Sequence, residues 1–318
     1  MRTLAALLLA LVLTLAARAA EPWLKAGDVV ALVGGEDMVA LAEEGWLETL
    51  VTWAQPGDRI RFRSLAWEGD TVFEQRRDLN YPTLETQLDK MGATVVICQF
   101  GKMESFAGKE GVAAFTEAYE KLIARLSGEK KRRIALVLPT SFGPANRKIA
   151  TEVPDLQWRN DALFFYKSAI TAIADRHHLI ALNTLESESL DAYKRENPHA
   201  GAYKSYDGIH VAREDAVLLC INIINDFVPL ALKPLVDDKQ KWASVERLRT
   251  VVMTKNRLWF HYTRPQNWAF LAGNRTNQPS SRDHLDPTKR WFPEEMEQWV
   301  PLIEAKEKEI WALAAAPR

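Results

Sequence analysis

Residues 94–100 read Thr94-Val95-Val96-Ile97-Cys98-Gln99-Phe100, an almost uninterrupted apolar run. A strand that is exposed on one face alternates polar and apolar residues, whereas a continuous run indicates that both faces are covered. Strands of this kind occur in parallel sheets that carry helices on both sides. The run therefore predicts a parallel sheet packed between two layers of helices.

Strand-like and helix-like segments alternate around this run. The predicted strands are residues 28–33, 59–65, 94–100, 134–138 and 179–182. The predicted helices are residues 38–51, 82–90, 110–126, 158–177 and 213–227. Strands separated by helices of this length form right-handed βαβ units. We therefore expect a three-layer α/β/α domain with about five parallel strands.

The loops that follow the first three predicted strands are residues 34–37, 66–72 and 101–108. A fourth segment, Tyr206-Asp207-Gly208-Ile209-His210, precedes the last helix of the predicted domain. Ligand sites in parallel sheets form beyond the carboxyl ends of the strands. These four segments are therefore predicted to meet in one crevice.

Asp207 and His210 form a pattern that suits acid/base chemistry. A carboxylate can hold one ring nitrogen of a histidine, which leaves the other nitrogen to face a ligand as a general base. The same two residues are also typical of a surface turn that leads into a helix. The pair is therefore a candidate site on its own terms, with the turn as the plain alternative.

The first residues of the chain have the pattern of a secretory signal. Arg2 is followed by an apolar run at residues 4–15, and Ala17 and Ala19 provide small residues for cleavage. We predict a signal peptide at residues 1–19, a main domain at 20–231 and a C-terminal extension at 232–318. The protein is expected to be exported, to the periplasm or the extracellular space.

The composition argues against two classes of partner. The formal net charge is -1, with charges of both signs, so nothing in it favours nucleic acid. Beyond the signal, no run approaches the ~20 apolar residues of a membrane helix, so no membrane span is predicted. Cys98 and Cys220 both lie in apolar runs, which favours buried free thiols over a disulfide. The sequence leaves the oligomeric state open.

The extension is rich in aromatic, amide and arginine side chains. Arg264, Asn267 and Trp268 are candidate ligand-binding residues, because tryptophan stacks on sugar rings and the other two donate hydrogen bonds. The alternative is that a long irregular segment uses such residues to pack over the sheet. A helix at residues 244–256 and another at 293–313 are also predicted.

Several of these blocks resemble the SGNH (GDSL-type) esterases. Residues 65–71, Leu-Ala-Trp-Glu-Gly-Asp-Thr, look like the glycine block of that family, and Asp207 and His210 match its last block in full. Residues 100–108 and 264–268 are similar to an exported bacterial branch with a tryptophan-rich C-terminal extension. The resemblance implies a flavodoxin-like fold, an ester substrate, an Asp207/His210 acid/base pair and Gly69 as an oxyanion donor.

The sequence departs from the family at two positions. Glu36 stands where the family has its nucleophilic serine, and Met103 stands where it has an oxyanion asparagine. Attack by a carboxylate would give a mixed anhydride, which serine ester chemistry does not use. One hypothesis is that Glu36 forms an ion pair with His210.

Other assignments of the site are weaker. Ser64 and Ser105 lie near strand ends and could replace the missing nucleophile only if they reached His210. Glu36, Asp37, Asp207 and His210 could hold a cation, although their spacing matches no strong metal motif. Glu36 with Glu104 could form a glycosidase-like pair of carboxylates. We predict no metal and no cofactor.

Two hypotheses follow from the sequence. The protein is either an exported ester hydrolase of the SGNH type, directed at acetylated carbohydrate, or a non-catalytic relative that keeps the crevice to bind a carbohydrate or a small ester. Fold resemblance supports both equally. The intact Asp207/His210 pair favours the first, and Glu36 favours the second.

Overall fold

We describe the protein from a computed structural model, which describes residues 22–75, 77, 80–143, 156–184, 205, 207–225, 235 and 237–316. The predicted signal peptide lies outside the described residues. Within them, no helix is both long enough and apolar enough to span a membrane.

The domain is built on a five-stranded sheet in which all neighbouring strands run parallel. The strands are β1 Val29–Gly34, β2 Arg61–Ser64, β3 Val95–Gln99, β4 Arg133–Val137 and β5 Ile180–Leu182. Their spatial order, β2-β1-β3-β4-β5, is the flavodoxin-like order. The predicted fold class is confirmed, and the apolar run of residues 94–100 forms the central strand.

Helices cover both faces of this sheet and continue into the extension. They are α1 Glu36–Glu44, α2 Trp46–Ala54, α3 Leu84–Lys90, α4 Val112–Ser127, α5 Asn160–His177, α6 Ala216–Asn225, α7 Lys239–Thr263, α8 Trp268–Leu271, α9 Trp291–Glu297 and α10 Trp299–Ala315. A short 3-10 turn, Glu104–Ala107, follows β3.

Two predicted helices are each divided in the structure. The prediction of one helix at residues 38–51 is wrong, because Gly45 adopts a left-handed conformation with φ of 68° between α1 and α2. A Cβ atom at Gly45 would lie 3.1 Å from the Val252 side chain, so α7 packs closely on this break. The helix predicted at 293–313 is α9 and α10, which meet at Gln298.

The side chains of β1 alternate between two hydrophobic cores. Val30 and Leu32 point to the core that contains α2 and α6, while Ala31 and Val33 point to the core that contains α4 and α5. Val252 of α7 and Ile310 of α10 belong to the first core, and residues of the same two helices reach the second. The extension therefore completes the hydrophobic packing of the domain.

Buried charges also join the extension to the sheet. The ammonium of Lys255 in α7 lies 2.6 Å from the carboxylate of Glu48 in α2 and donates to the Phe62 carbonyl at 2.9 Å. Arg63 of β2 forms an ion pair with Glu307 of α10. Burial lowers the pKa of Lys255 and raises that of Glu48, so desolvation opposes the charge on both partners. The ion pair offsets part of that cost and fixes the position of α7.

Cys98 and Cys220 are free and fully buried, as predicted. Cys98 lies in the core with α4 and α5, whereas Cys220 lies in the core with α2 and α6. The sheet separates the two thiols. Burial raises the pKa of Cys98 to about 12 and raises that of Cys220 as well.

We expect the native protein to react with no thiol reagent at neutral pH, because neither sulfur is accessible or ionised. Denaturation without a reducing agent should release two reactive thiols. Titration with 5,5′-dithiobis-(2-nitrobenzoate) in buffer and in guanidinium chloride measures both values. Fewer than two thiols after denaturation would mean that the cysteines pair, which this arrangement forbids.

Candidate functional site

Asp207 and His210 are joined in a tight turn before α6. The Asp207 Oδ2 atom lies 2.6 Å from His210 Nδ1, and its Oδ1 atom accepts the backbone N–H groups of Ile209 and His210, each at 2.9 Å. Burial pushes the pKa of Asp207 upwards, but these hydrogen bonds outweigh burial and hold the pKa at about 2. The carboxylate therefore orients the imidazole, whose other nitrogen, Nε2, is left to meet a ligand. Tyr206 lies outside the described residues.

A buried ion pair lies beneath this turn. The Lys102 ammonium is 3.0 Å from Asp37 Oδ1 and 2.6 Å from Thr140 Oγ1, and it also donates to the Ile209 carbonyl. Asp37 and Lys102 are almost inaccessible, with 1% and 4% of their surfaces exposed. Burial raises the pKa of Asp37, but Lys102 and the Thr140 donors outweigh it, so the pKa is lowered overall. Lys102 therefore connects the turn that carries His210 with the start of α1, where Asp37 lies.

Glu36 occupies the first turn of α1, directly after β1. Its Oε1 atom accepts the backbone N–H of Gly69 at 3.2 Å. Gly35, directly before Glu36, allows the two loops to lie close together, because a Cβ atom there would lie 3.1 Å from the Asp70 carbonyl oxygen. The carboxylate of Glu36 thus holds the N–H group that the family resemblance assigns to an oxyanion.

The hypothetical ion pair between Glu36 and His210 is not formed. In the described part of the chain, no oxygen of that carboxylate lies within 4.0 Å of a ring nitrogen of His210. Lys102 holds Asp37 and the Ile209 carbonyl together instead. We call the crevice the region where the sequence predicts that Glu36, Gly69, Asp207 and His210 meet.

Glu104 connects two of the loops that carry the crevice. Its Oε1 atom accepts the Val72 N–H at 2.8 Å, and its Oε2 atom accepts the Gly101 N–H at 2.7 Å. Burial raises the pKa of Glu104, and the negative charge of Glu36 raises it further. Because both oxygens bind backbone N–H groups, Glu104 does not act as the second carboxylate of a glycosidase pair. Met103 beside it has a thioether in place of an amide, so its side chain offers no N–H donor.

Neither candidate serine is hydrogen-bonded to the His210 ring in the described residues. Ser105 is fully buried, and its hydroxyl donates to the Lys102 carbonyl at 2.6 Å. Ser64 ends β2, where its carbonyl accepts the indole N–H of Trp259 at 2.7 Å. Among the described residues, no serine hydroxyl is hydrogen-bonded to the His210 ring.

No metal site is found in the described residues. They contain no group of three or more histidine, cysteine, aspartate or glutamate side chains placed to hold an ion. Asp37, which the sequence offered as a ligand, is instead bound by Lys102, Gln99 and Thr140.

One of the three predicted binding residues in the extension touches the loop that carries Gly69, and a second touches Tyr81, whose ring lies 6.2 Å from that of Trp67 in the loop. The Arg264 guanidinium donates to the Ala66 carbonyl and stacks on the Trp67 ring, 4.6 Å from its centroid. The Trp268 ring lies 4.4 Å from the ring of Tyr81. Arg264 therefore packs against the loop, and Trp268 packs against Tyr81.

Asn267, the third, is exposed and lines a cavity of about 500 Å³ between the end of α7 and the α9–α10 pair. The structure does not bring it to the crevice residues. The sequence analysis did not identify Lys102 and Arg77, or the role of Glu104 as an acceptor for two loops. The Arg77 guanidinium binds Asp70 and stacks on Trp67. For Lys102 the available signal was a charged residue in the short loop that follows a fully buried strand.

Comparisons with known proteins identify the fold. No family model and no curated protein matches the chain. A solved gut microbial diltiazem-metabolizing enzyme matches with a TM-score of 0.65 at 9% identity, over 92% of this chain and 96% of that one. This match spans the C-terminal extension as well as the sheet, and it shows a shared fold.

Other solved structures match more weakly. An acetyl xylan esterase matches at 14% identity with a TM-score of 0.43, over 62% of this chain and 98% of its own. A carbohydrate acetylesterase from Sinorhizobium meliloti matches at 13% identity with a TM-score of 0.42, over 62% and 97%. The strand order and the shared fold confirm the flavodoxin-like fold that the sequence resemblance implies.

We expect Lys102→Met to destabilise the protein by about 3–5 kcal/mol, because it leaves the Asp37 carboxylate buried without its partner. Lys121→Met is a matched control, since Lys121 forms an exposed ion pair with Glu117 and should cost less than ~1 kcal/mol. Urea unfolding followed by circular dichroism gives both free energies. Equal effects of the two substitutions would show that the buried pair contributes no more than a surface pair.

The low pKa of Asp207 predicts a pH dependence. A carboxylate whose pKa is lower in the folded state stabilises that state above its unfolded pKa, 3.8, and loses this effect as the pH falls towards 2. Asp207→Asn should therefore be less stable than the parent at pH 5, and this difference should shrink between pH 4 and pH 2. Urea midpoints across that range test it, and a gap independent of pH would contradict the assignment.

Proposed function

We propose that this chain is an exported protein of the SGNH fold that binds an ester-bearing carbohydrate in the crevice and does not carry out serine ester hydrolysis. The hydrogen bond between Glu36 and the Gly69 N–H supports this proposal most directly. The donor that would stabilise an oxyanion is already bound to a carboxylate of the protein itself.

Three features of the crevice disfavour hydrolysis. Glu36 replaces the nucleophile, Met103 lacks the amide donor, and the Gly69 N–H is engaged. Loss of one oxyanion donor costs about 10²–10³ in rate, and loss of the nucleophile removes most of what remains. In addition, a negative charge at Glu36 repels the negative charge that develops on an ester carbonyl.

The retention of Asp207 and His210 has an explanation that does not require catalysis. Asp207 accepts two backbone N–H groups of its own turn, and the Ile209 carbonyl accepts the buried Lys102 ammonium. Replacing Asp207 would leave both partly buried N–H groups without their acceptor, which costs up to ~1–3 kcal/mol each. The turn is therefore held by the needs of the fold as well as by any ligand.

The chemistry of the crevice suits a hydroxyl-rich ligand. The carboxylate of Glu36 is an acceptor, and the imidazole of His210 offers a second hydrogen-bonding group that Asp207 holds in place. Sugar hydroxyls both donate and accept hydrogen bonds, so they satisfy such a pair, whereas a bare ester carbonyl only accepts. This favours the carbohydrate part of an acetylated sugar as the main recognition element.

A second candidate function is hydrolysis by water that His210 activates directly. The 2.6 Å contact from Asp207 fixes the imidazole as a general base requires. This mechanism needs no serine, but it still needs an oxyanion donor. Loss of all ester turnover in His210→Ala, with measurable turnover in the parent, would favour this candidate over a binding protein.

We expect the parent protein to show no His210-dependent turnover of 4-nitrophenyl acetate or acetylated xylan. The double variant Glu36→Ser with Met103→Asn restores a hydroxyl nucleophile and an amide donor, and should gain turnover of about 10²-fold or more over background. This gain should disappear when His210→Ala is added. Initial rates measured spectrophotometrically test each step.

Glu68→Ser is the matched control, because Glu68 is an exposed neighbour of Gly69 and makes no hydrogen bond to it in the described residues. It should gain nothing. Turnover by the parent that survives Glu36→Gln but not His210→Ala would overturn the non-hydrolytic proposal. Fractionation of expressing cells tests export separately, and full-length protein in the cytoplasm would contradict it.

A further inference from the structure

A groove separate from the crevice runs between α7 and the main domain. It encloses about 1060 Å³ and is lined by α1, the end of β2, the start of α6 and α7. Ligand sites for small molecules occupy about 300–1,000 Å³, so this groove has room for a ligand of several sugar rings. We call it the α7 groove.

The α7 groove adjoins the crevice at three points. Val39 lies one helical turn after Glu36, Ala66 precedes Gly69 by one short turn, and Arg213 follows His210 by a similar step. Each element that bounds the crevice therefore also provides a residue of the groove. A chain-like ligand seated in the groove would have its end near Glu36 and His210.

Two of the four arginines in the groove form no ion pair with a carboxylate. Four arginines and three glutamates line it. Arg213 and Arg249 are paired with Glu44 at 3.1 and 3.4 Å. Arg257 and Arg264, by contrast, have no carboxylate oxygen within 4.0 Å in the described part of the chain. Asp70 and Glu43 act on Arg264 only at longer range, so both guanidinium groups remain able to form an ion pair with an anionic group of a ligand.

Arg264 is the stronger of these two cations. Its guanidinium is half-buried and lies between the rings of Trp67 and Phe260, 4.6 Å from each centroid. Only the Ala66 carbonyl accepts a hydrogen bond from it among the described residues. Burial lowers the pKa of Arg264, which shows that its charge is poorly solvated. A bound carboxylate would offset this cost through charge-assisted hydrogen bonds.

Aromatic rings form the remaining wall. Trp242 stacks on Trp46 with ring centroids 5.4 Å apart and an angle of 21° between the planes. Phe260, at 41% exposure, presents a large apolar surface at the other end of the groove. Apolar faces of sugar rings pack on aromatic surfaces of this kind.

We infer that the α7 groove binds an acidic oligosaccharide, with a uronate carboxylate on Arg257 and Arg264 and a sugar ring against Phe260. The inference rests on the proposed function only in that the same polysaccharide would carry the ester to the crevice. It adds a ligand class and a second site. Neither residue that sets the charge belongs to the SGNH blocks of the main domain.

Titration calorimetry with tetragalacturonate, an acidic oligosaccharide, and with xylotetraose, a neutral one of equal length, tests this inference. We expect tetragalacturonate to bind more tightly, and its binding to weaken as salt rises. Arg257→Ala should weaken the binding of tetragalacturonate about tenfold, because a charged hydrogen bond is lost. Arg257→Glu should weaken it further, because the new carboxylate repels the uronate. Phe260→Ala should weaken both ligands.

Arg247→Ala is the matched control, because Arg247 is an exposed arginine of the same helix that lies outside the groove. It should leave the affinity unchanged. Both Arg257 and Phe260 are exposed, so circular dichroism is expected to show folded variants. Equal binding of the acidic and neutral sugars, equal effects of Arg247→Ala and Arg257→Ala, or no binding of tetragalacturonate would each overturn the inference.

The two proposals fail separately. If acetylated xylotetraose does not bind while tetragalacturonate binds in an Arg257-dependent way, the groove stands and the crevice proposal falls. If acetylated xylotetraose binds and His210→Ala abolishes that binding, while tetragalacturonate does not bind, the crevice proposal stands and the groove inference is wrong.

Discussion

The crevice depends on the buried ion pair between Asp37 and Lys102. Asp37 belongs to α1, Lys102 follows β3, and their partners Thr140 and Ile209 follow β4 and precede α6. One ammonium thus joins four segments that are far apart in the sequence. A buried ammonium is stable only when its N–H groups find hydrogen-bond acceptors. Asp37, Thr140 and Ile209 must therefore stay within hydrogen-bonding distance of Lys102.

The C-terminal extension is held by a second set of buried charges. Lys255 binds Glu48 of α2, and Arg63 of β2 binds Glu307 of α10. Such pairs contribute less to stability than apolar packing would, but they permit only one alignment of the elements they join. The alignment of α7 matters for the proposed groove, because this helix provides Arg257 to it and leads directly to Arg264, which donates a hydrogen bond to the loop of Gly69.

The parts of the structure that depend on repeated patterns could be predicted from the sequence. The apolar run at residues 94–100 gives the central strand, and the alternation of strands and helices gives the sheet, because burial on both faces needs many apolar residues in succession. The break at Gly45 could not be predicted, since it depends on one backbone angle and on the approach of α7. The pairing of Lys102 with Asp37 was also beyond reach, because it is set by how two loops meet in space.

Under the proposed function, the contact between Glu36 and Gly69 occupies the donor that the SGNH resemblance assigns to an oxyanion. An N–H group that points at a developing oxyanion also binds a carboxylate, because both are negatively charged oxygens at similar distances. The first turn of α1 adds a partial positive charge that favours Glu36 further. The interaction that would be made only in a transition state is therefore made permanently in the ground state, where it lowers no barrier. In the proposed binding function, a ligand satisfies the acceptor atoms of Glu36, which selects for groups that donate hydrogen bonds.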